Sequence, residues 1–343
     1  MCPNIIASPA GNSTAALTEG TSGVIADKKP RHFNVVSARK AYADGKNVTE
    51  LLRQQKVLSF NTPEIIETSY DLQAGTYIKF VRENIDQAAR YASELASILD
   101  VHITSGQSLL DVGTGELTTL TLLVQRLANK PGRIFAFDVS WSRVHKGLEF
   151  AKEEMAAEEL ERLTSFVADI GELPLKDKSV DVTTSSHALE PNGDKLDVLL
   201  SELFRVTKEK LVLFEPSYEL NSEEGKKRME SLGYIKDVEG AVARLGGKLL
   251  ERIPIRNVNN PLNPTACYVI LPPAASMTPP SSNASVQEAV STSNIFSVPG
   301  TGLSLTEKEG FFTSEATGLC YPVLKSIPVL RSNAAILASC FSG

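Results

Sequence analysis

The segment Asp111-Val-Gly-Thr-Gly115 joins an apolar run to an amphipathic one, which is typical of a strand, a loop and a helix in succession. Gly113 and Gly115 can adopt backbone angles that a Cβ would forbid, and they let a ligand approach the main chain closely. Asp111 ends the predicted strand, where an open α/β sheet has its binding crevice. An ordinary strand-to-helix turn can have the same spacing, so the loop alone does not assign a ligand.

Two further carboxylates follow at the ends of the next two predicted strands. Asp138 comes about twenty residues after the glycine loop, where an acidic side chain can accept hydrogen bonds from both hydroxyls of a ribose. Asp169 could accept from an adenine amino group, and Ile170 offers an apolar surface to the ring. Since the carboxyl ends of parallel strands meet at one edge of a sheet, this order predicts a nucleoside-binding crevice.

The segments after the fourth and fifth predicted strands contain the candidate catalytic residues. His187 could deprotonate a hydroxyl, because its unperturbed pKa is near neutral. We favour the simpler interpretation that His187 only lines the pocket, since a base is needed only when the reacting group must lose a proton. Glu215 and Tyr218 are the further candidates. The four histidines are too dispersed to suggest a metal site.

A polar and aromatic segment lies between two predicted helices ahead of the sheet. It contains Tyr70, Gln73 and Tyr77. These side chains could form a helix–helix turn with buried aromatic rings, or a lid that lays polar groups over a ligand. The sequence leaves both interpretations open.

Strands that alternate with helices after residue 105 predict an α/β fold with a doubly wound, Rossmann-like sheet. A helical N-terminal cap and a small C-terminal β extension complete it. A Pro- and Asn-rich segment over 257–264 predicts a closing hairpin with an antiparallel last strand. The expected boundaries are a flexible leader over 1–30, a cap over 31–104, the Rossmann-like domain over 105–272, a linker over 273–300 and a C-terminal module over 301–343.

The composition of the 343-residue chain excludes several classes of protein. A net charge of −6 argues against general nucleic-acid binding, which needs a basic face. The four cysteines are scattered without a CxxC pair, which is atypical of a disulfide scaffold or a zinc ribbon. No signal-peptide pattern or membrane-spanning apolar run is present. We therefore expect a cytoplasmic protein away from membranes, and a homodimer stays open.

The ordered motifs resemble those of the class I S-adenosylmethionine-dependent methyltransferases, of the type 11/25-like kind. The resemblance covers roughly residues 105–220. Its motifs are Leu109-Leu-Asp-Val-Gly-Thr-Gly115, Phe137-Asp138, Ala168-Asp-Ile-Gly-Glu-Leu-Pro174, Ser179-Val-Asp-Val182 and Leu203-Phe-Arg-Val206. It implies S-adenosylmethionine as the cofactor and an in-line displacement that moves its methyl group to an acceptor.

The resemblance also implies roles for individual residues. Asp111, Gly113 and Gly115 would cradle the methionine part of the cofactor, Asp138 the ribose and Asp169 the adenine. The usual third glycine of the loop is absent, since Glu116, Leu117 and Thr118 follow Gly115, and this pattern disfavours a dinucleotide pyrophosphate. The predicted cofactor-binding set is Tyr70, Gln73, Tyr77, Asp111, Gly113, Thr114, Gly115, Asp138, Val139, Asp169, Ile170 and Ser185.

The C-terminal stretch Tyr321-Pro-Val-Leu-Lys-Ser-Ile-Pro-Val-Leu330 resembles the end of a small zinc-ribbon-like module that often accompanies methyltransferases. The usual metal cysteines are missing, so we expect no zinc. The module is too short for a core of its own and should pack on the main domain.

We expect a small-molecule acceptor, such as a sugar, a nucleotide-sugar or a natural-product scaffold. The fourth strand ends in Thr184-Ser-Ser-His187 rather than in an Asn-Pro-Pro-Tyr type signature of amino-group methylation. One alternative is a non-catalytic subunit that binds S-adenosylmethionine and acts through a partner. Another is an NAD(P)-dependent oxidoreductase, against which the missing third glycine argues.

Overall fold

The computed structural model describes residues 35–56, 58, 60–274 and 295–341. The predicted leader over 1–30 and most of the predicted linker lie outside the described residues. Helices of the N-terminal cap come first: α1 Val35–Ala43, α2 Val48–Lys56, α3 Pro63–Asp71, α4 Thr76–Glu83 and α5 Ile85–Leu99. Thr62 caps α3 by accepting a hydrogen bond from the Ile65 amide, as expected for a threonine before a proline at the first helical position.

The central sheet has seven strands in the order β3-β2-β1-β4-β5-β7-β6. Strands β1 to β5 run parallel, and β7 runs antiparallel between β5 and β6. The Rossmann-like α/β fold and the antiparallel closing hairpin are thereby confirmed. The strands are β1 Ser108–Val112, β2 Arg133–Asp138, β3 Leu163–Val167, β4 Val180–Ser186, β5 Thr207–Pro216, β6 Lys248–Pro254 and β7 Thr265–Leu271.

Helices cover both faces of this sheet, because its strands are apolar on both sides. The helices after the cap are α6 Thr118–Arg126, α7 Trp141–Glu154, α8 Ala157–Glu161, α9 Leu196–Val206, α10 Glu223–Leu232 and α11 Val238–Arg244. One core cluster joins alternate strand residues such as Leu110 and Phe137 to α9, and the other joins Leu109 and Ile134 to α5 and α6. Within the described residues, no helix is both long and apolar enough to cross a membrane.

The C-terminal residues form a second, smaller sheet that packs on the main domain, as predicted. Its strands are β8 Thr306–Lys308, β9 Phe311–Ser314, β10 Leu319–Leu324, β11 Ile327–Pro328 and β12 Ile336–Leu337. Val329 forms a parallel bridge with Val167 at the free edge of β3, and the Leu330 amide donates to the Val167 oxygen at 2.9 Å. Phe296 packs edge-on against Phe166 with ring centroids 5.2 Å apart.

Candidate functional site

A cleft with an empty volume of about 910 Å³ opens at the carboxyl edge of the parallel strands. The segments after β1, β2, β3 and β4 form its floor, and helix α3 and the start of α4 cover it. This placement follows from the topology, because the strand order reverses between β1 and β4. The predicted site residues that line the cleft are Tyr70, Tyr77, Gly113, Thr114, Asp138, Val139, Asp169, Ile170 and His187.

Asp138 is buried and organises the loop after β1. Its Oδ2 accepts from the Gly115 amide at 3.0 Å, and its Oδ1 accepts from the Ser140 amide at 2.9 Å. Gly113 and Gly115 both have positive φ, at 60° and 57°. A Cβ on Gly113 would also lie 2.6 Å from the Cβ of Ala188 in the neighbouring loop after β4, so glycine is required by both conformation and space.

Arg143 is a site residue that the sequence analysis missed. Its Nη1 lies 3.4 Å from Asp138 Oδ2, and its guanidinium carbon lies 5.1 and 4.8 Å from the ring centroids of Tyr70 and Tyr77. The guanidinium also occupies the space that a Cβ on Gly115 would need. An arginine in the first turn of a helix is unfavourable, because the N-terminal end of the helix dipole is positive. This unfavourable position was the feature of the sequence that could have indicated a special role for Arg143.

Glu116, the first residue after Gly115, ties the loop to the cap. It is 1% exposed, and its two carboxylate oxygens accept from the amides of Gly75 and Ile78, each at 2.9 Å. Those amides belong to the first turn of α4, where free N–H groups favour an anion. The cap therefore sits on the loop through a buried carboxylate, and Tyr70 and Tyr77 are part of the wall of the cleft.

Asp111, at the end of β1, and Gly115, within the loop, do not line the cleft. Asp111 is buried beside Thr114 and Asp138. Burial raises the pKa of Asp111 to about 7; Thr114 opposes that rise and the negative charge of Asp138 adds to it. Gly115 is covered by Arg143. Gln73 does not line the cleft either, since its amide nitrogen donates to the Ser69 carbonyl oxygen at 3.0 Å.

His187 begins the loop after β4 with a φ of 58°, which is strained for a residue with a Cβ. Its Nδ1 lies 2.5 Å from Glu190 Oε2, and its Nε2 lies 2.9 Å from Thr265 Oγ1. Burial lowers the pKa of His187 against the opposing effect of Glu190. Burial also opposes ionisation of Glu190, yet the His187 hydrogen bond lowers its pKa. A neutral imidazole that donates to an ionised Glu190 fits both directions.

Glu215 lies fully buried below this loop and does not line the cleft. Its Oε1 accepts from Ser185 Oγ at 2.7 Å and from the Ala188 and Leu189 amides at 3.0 and 3.2 Å, and its Oε2 accepts from the Glu190 amide at 3.3 Å. Burial raises the pKa of Glu215 to about 7. In this position Glu215 holds the His187 loop and is out of reach of a ligand in the cleft.

Ser185 and Tyr218 also differ from their expected positions. Successive side chains of a strand alternate between faces, so Ser185 points to Glu215 while Ser186 lines the cleft and contacts the Tyr91 hydroxyl at 3.0 Å. The Tyr218 hydroxyl donates to Glu230 Oε1 at 2.8 Å, near the surface and away from the cleft.

In the part of the chain that the structure describes, no group of three or more histidine, cysteine or carboxylate side chains could hold a metal ion. Cys267 and Cys320 are buried free thiols and Cys340 is an exposed one. The likeness of the C-terminal module to a zinc ribbon stays a prediction.

Residues 103–248 match the family model described as "Methyltransferase domain". This segment is a class I, S-adenosylmethionine-dependent methyltransferase domain. The matched segment begins before β1 and ends at the start of β6, so it contains every strand end that lines the cleft. The predicted enzyme class and its cofactor are confirmed.

Several solved structures resemble this methyltransferase at low identity. The complex between the Haloferax volcanii Trm112 methyltransferase activator and a methyltransferase matches at 19% identity and a TM-score of 0.46, covering 60% of this chain and 98% of that one. Magnesium protoporphyrin IX methyltransferase from Synechocystis PCC 6803 matches at 15% identity and a TM-score of 0.44, covering 68% and 99%. Geranyl diphosphate C-methyltransferase from Streptomyces coelicolor A3(2) matches at 12% and 0.40, covering 49% and 74%. No curated protein matches the chain.

Proposed function

We propose that this methyltransferase moves the methyl group of S-adenosylmethionine to a small molecule that enters the cleft opposite the glycine loop. The observation that carries the proposal is the shared cleft. Gly113, Asp138 and Asp169 line one side of it, and His187 lines the other. A cofactor on the first side would present its reactive group to whatever the second side holds.

The residues of the cleft fit this cofactor. Asp138 and Asp169 supply carboxylates that can accept from the ribose hydroxyls and the adenine amino group, and Ile170 supplies an apolar surface for the ring. The Thr114 hydroxyl lies at the cleft beside Asp111, within reach of a polar ligand. When bound, the cofactor supplies an electrophilic methyl group on a sulfonium.

The loop residues of the first side would then position the cofactor. Gly113 and Thr114 would contact its methionine part, while Asp111, at the end of β1, would act by holding the loop in shape. Arg143 would keep the Asp138 carboxylate aligned, because the ion pair fixes both groups. Tyr70 and Tyr77 would exclude water from above.

The second side would orient the acceptor and, for a hydroxyl acceptor, remove its proton. With Nδ1–H donated to Glu190, Nε2 of His187 carries the lone pair, which now accepts from the Thr265 hydroxyl. An acceptor hydroxyl that replaced Thr265 would find a base there. Positioning supplies most of the rate in a displacement of this kind, so an acceptor that has no proton to lose would need only the alignment.

Transfer of a labelled methyl group from S-adenosylmethionine into a metabolite extract tests the proposal. We expect label in a small-molecule fraction with the wild-type protein. His187→Gln keeps a polar side chain, and for a hydroxyl acceptor we expect label to appear about 100-fold more slowly with it. His145→Gln is the matched control, because His145 lies on α7 outside the cleft.

Calorimetry with S-adenosylhomocysteine identifies the cause of a negative result. Binding without label transfer into any fraction would favour the non-catalytic alternative, in which the protein acts through a partner. If neither S-adenosylmethionine nor S-adenosylhomocysteine bound, the assignment of the cleft would be wrong.

A further inference from the structure

Two smaller cavities adjoin the cleft on the side away from the glycine loop. The α2–α10 cavity, of about 770 Å³, lies between α2, α3 and α10 and shares Ile66, Tyr70 and Pro191 with the cleft. The hairpin cavity, of about 360 Å³, shares His187 with the cleft and Arg228 with the α2–α10 cavity. His187 therefore borders the cleft and the hairpin cavity, and the α2–α10 cavity joins both through shared wall residues.

The charged side chains in the walls of the two smaller cavities are cationic, apart from the neutral His187. Arg53 and Arg228 line the α2–α10 cavity, and no carboxylate lines either cavity in the described part of the chain. Arg53 Nη2 donates to the Ser231 carbonyl oxygen at 3.3 Å, which places it within one turn of Arg228 on α10. Two guanidinium groups in one cavity of a chain with a net charge of −6 favour an anionic ligand.

Two buried asparagines add acceptors for hydrogen bonds. Asn61 is 1% exposed and lines the α2–α10 cavity; its Nδ2 donates to the Pro191 carbonyl oxygen at 2.8 Å, which fixes the orientation of the amide. Asn263 is 8% exposed and lines the hairpin cavity; its Nδ2 donates to Glu190 Oε2 at 3.3 Å. The Oδ1 atoms of both have no partner in the described protein. Each could accept from a hydroxyl or amino group of a ligand.

We propose that the methyl acceptor is a small anion whose carboxylate or phosphate is bound by Arg53 and Arg228, and whose hydroxyl or amino groups donate to Asn61 and Asn263. This inference rests on the proposed function and names the chemistry of its acceptor. An anionic group held in the α2–α10 cavity would anchor the acceptor beyond Tyr70 and Pro191 and direct its other end to His187. Such an anchor limits the orientations that the acceptor can take at the cleft, which is how remote contacts accelerate a displacement.

Anion binding to the protein saturated with S-adenosylhomocysteine tests the inference without a known acceptor. Thermal unfolding would be followed in inorganic phosphate, in acetate and in sodium chloride of equal ionic strength. We expect phosphate or acetate to raise Tm beyond chloride, and the double variant Arg53→Met with Arg228→Met to bind that anion at least about ten-fold more weakly. Arg39→Met, which removes an exposed charge from α1 of the same cap, should behave as the wild type.

Calorimetry separates failure of this inference from failure of the proposed function. If the double variant binds S-adenosylhomocysteine normally but responds to phosphate and acetate as the wild type does, the anion site is wrong and the proposed function stands. If the double variant does not fold, Arg53→Gln alone replaces it, because Arg53 contacts the rest of the protein through a backbone oxygen at 3.3 Å.

The labelled product from the metabolite extract gives a second readout. We expect the product to bind an anion exchanger at a pH above the pKa of its acidic group. Phosphatase treatment should hydrolyse a phosphate ester and so abolish its binding to the exchanger, whereas a carboxylate product should still bind. A labelled product that passes through the exchanger as a neutral or cationic species would overturn the inference.

Discussion

The loops after β1 and β4 are neighbours that both line the cleft, and each is held by a buried carboxylate that accepts from backbone amides. Asp138 accepts from Gly115 in the first loop and from Ser140 after β2, and Glu215 accepts from three successive amides in the second loop. The surroundings of the two carboxylates differ in charge. Arg143 forms an ion pair with Asp138, whereas the hydrogen-bond donors to Glu215 are a hydroxyl and amides.

A buried carboxylate holds each loop, but the different surroundings of the two carboxylates should give the loops different properties. An ion pair with Arg143 fixes the carboxylate that holds the first loop. Burial without such a cation raises the pKa of Glu215 to about 7, so the second loop should be sensitive to pH near neutrality. Under the proposed function, the side that would hold the cofactor is fixed by an ion pair, and the side that would hold the acceptor should respond to pH.

Asp138→Asn should have the largest effect, because it removes the charge that balances Arg143. A buried cation left without its partner costs about 3–5 kcal/mol of unfolding free energy. Urea unfolding measures the loss, and calorimetry should show weaker binding of S-adenosylhomocysteine. Asp177→Asn is the control: Asp177 pairs with Arg205 but its side chain is 72% exposed, so about 1 kcal/mol or less is expected. Equal losses in the two variants would remove the distinction between the loops.

Glu215→Gln should alter the pH dependence of stability. The pKa of Glu215 rises from 4.5 in the unfolded chain to about 7 in the folded one. Its protonated form therefore stabilises the fold below pH 4.5, and that contribution, about 3 kcal/mol at about 1.4 kcal/mol per pH unit, is lost as the pH rises to about 7. The stability advantage of the wild type over Glu215→Gln should shrink by that amount across the window.

Urea unfolding at about pH 4.5, 6 and 7.5 measures this change, because these values span the interval between the unfolded and folded pKa values of Glu215. Glu209→Gln is the control, because Glu209 is exposed on the same strand. A difference between wild type and Glu215→Gln that does not vary with pH would show that both loops are held by fixed charges.

Glu116→Gln should have the smallest effect and act locally. An amide group in place of the carboxylate turns one acceptor toward Gly75 or Ile78 into a donor, which costs about 1–2 kcal/mol. Hydrogen exchange of the Gly75 and Ile78 amides should become about ten-fold faster. Glu83→Gln, on the exposed side of α4 with 61% of its side chain exposed, should leave both rates unchanged. Unchanged rates in Glu116→Gln would mean that packing rather than charge ties the cap to the loop.

The strand ends were predictable from the sequence because they depend on local order. Asp138 and Asp169 each follow an apolar run that reads as a strand, and a parallel sheet brings such ends together whatever the details of packing. The sequence predicts Ser185 at the cleft, but the adjacent Ser186 lines it instead. The sequence alone does not determine which of the two serines faces the cleft, because that depends on the length of β4. The assignment of Glu215 to the cleft failed for a related reason: the side chain turns under the neighbouring loop.

Residues whose partners lie far away in sequence were not predictable. Glu116 contacts amides 41 and 38 positions earlier, and Asn61 contacts Pro191 across 130 positions. No local pattern encodes such contacts. They depend on where the cap docks, which the apolar pattern of α5 alone does not determine.

The bridge between Val167 and Val329 has a further consequence for the two borders of the large sheet. Unpaired backbone groups on an edge strand are a template for another chain and so promote aggregation. At β3 the C-terminal module occupies part of that edge with its own backbone. The opposite edge strand, β6, is instead rich in exposed charged side chains such as Lys248, Glu251 and Arg252, which disfavour pairing with another strand. The protein thus protects one border of the sheet with a covering segment and the other with charge.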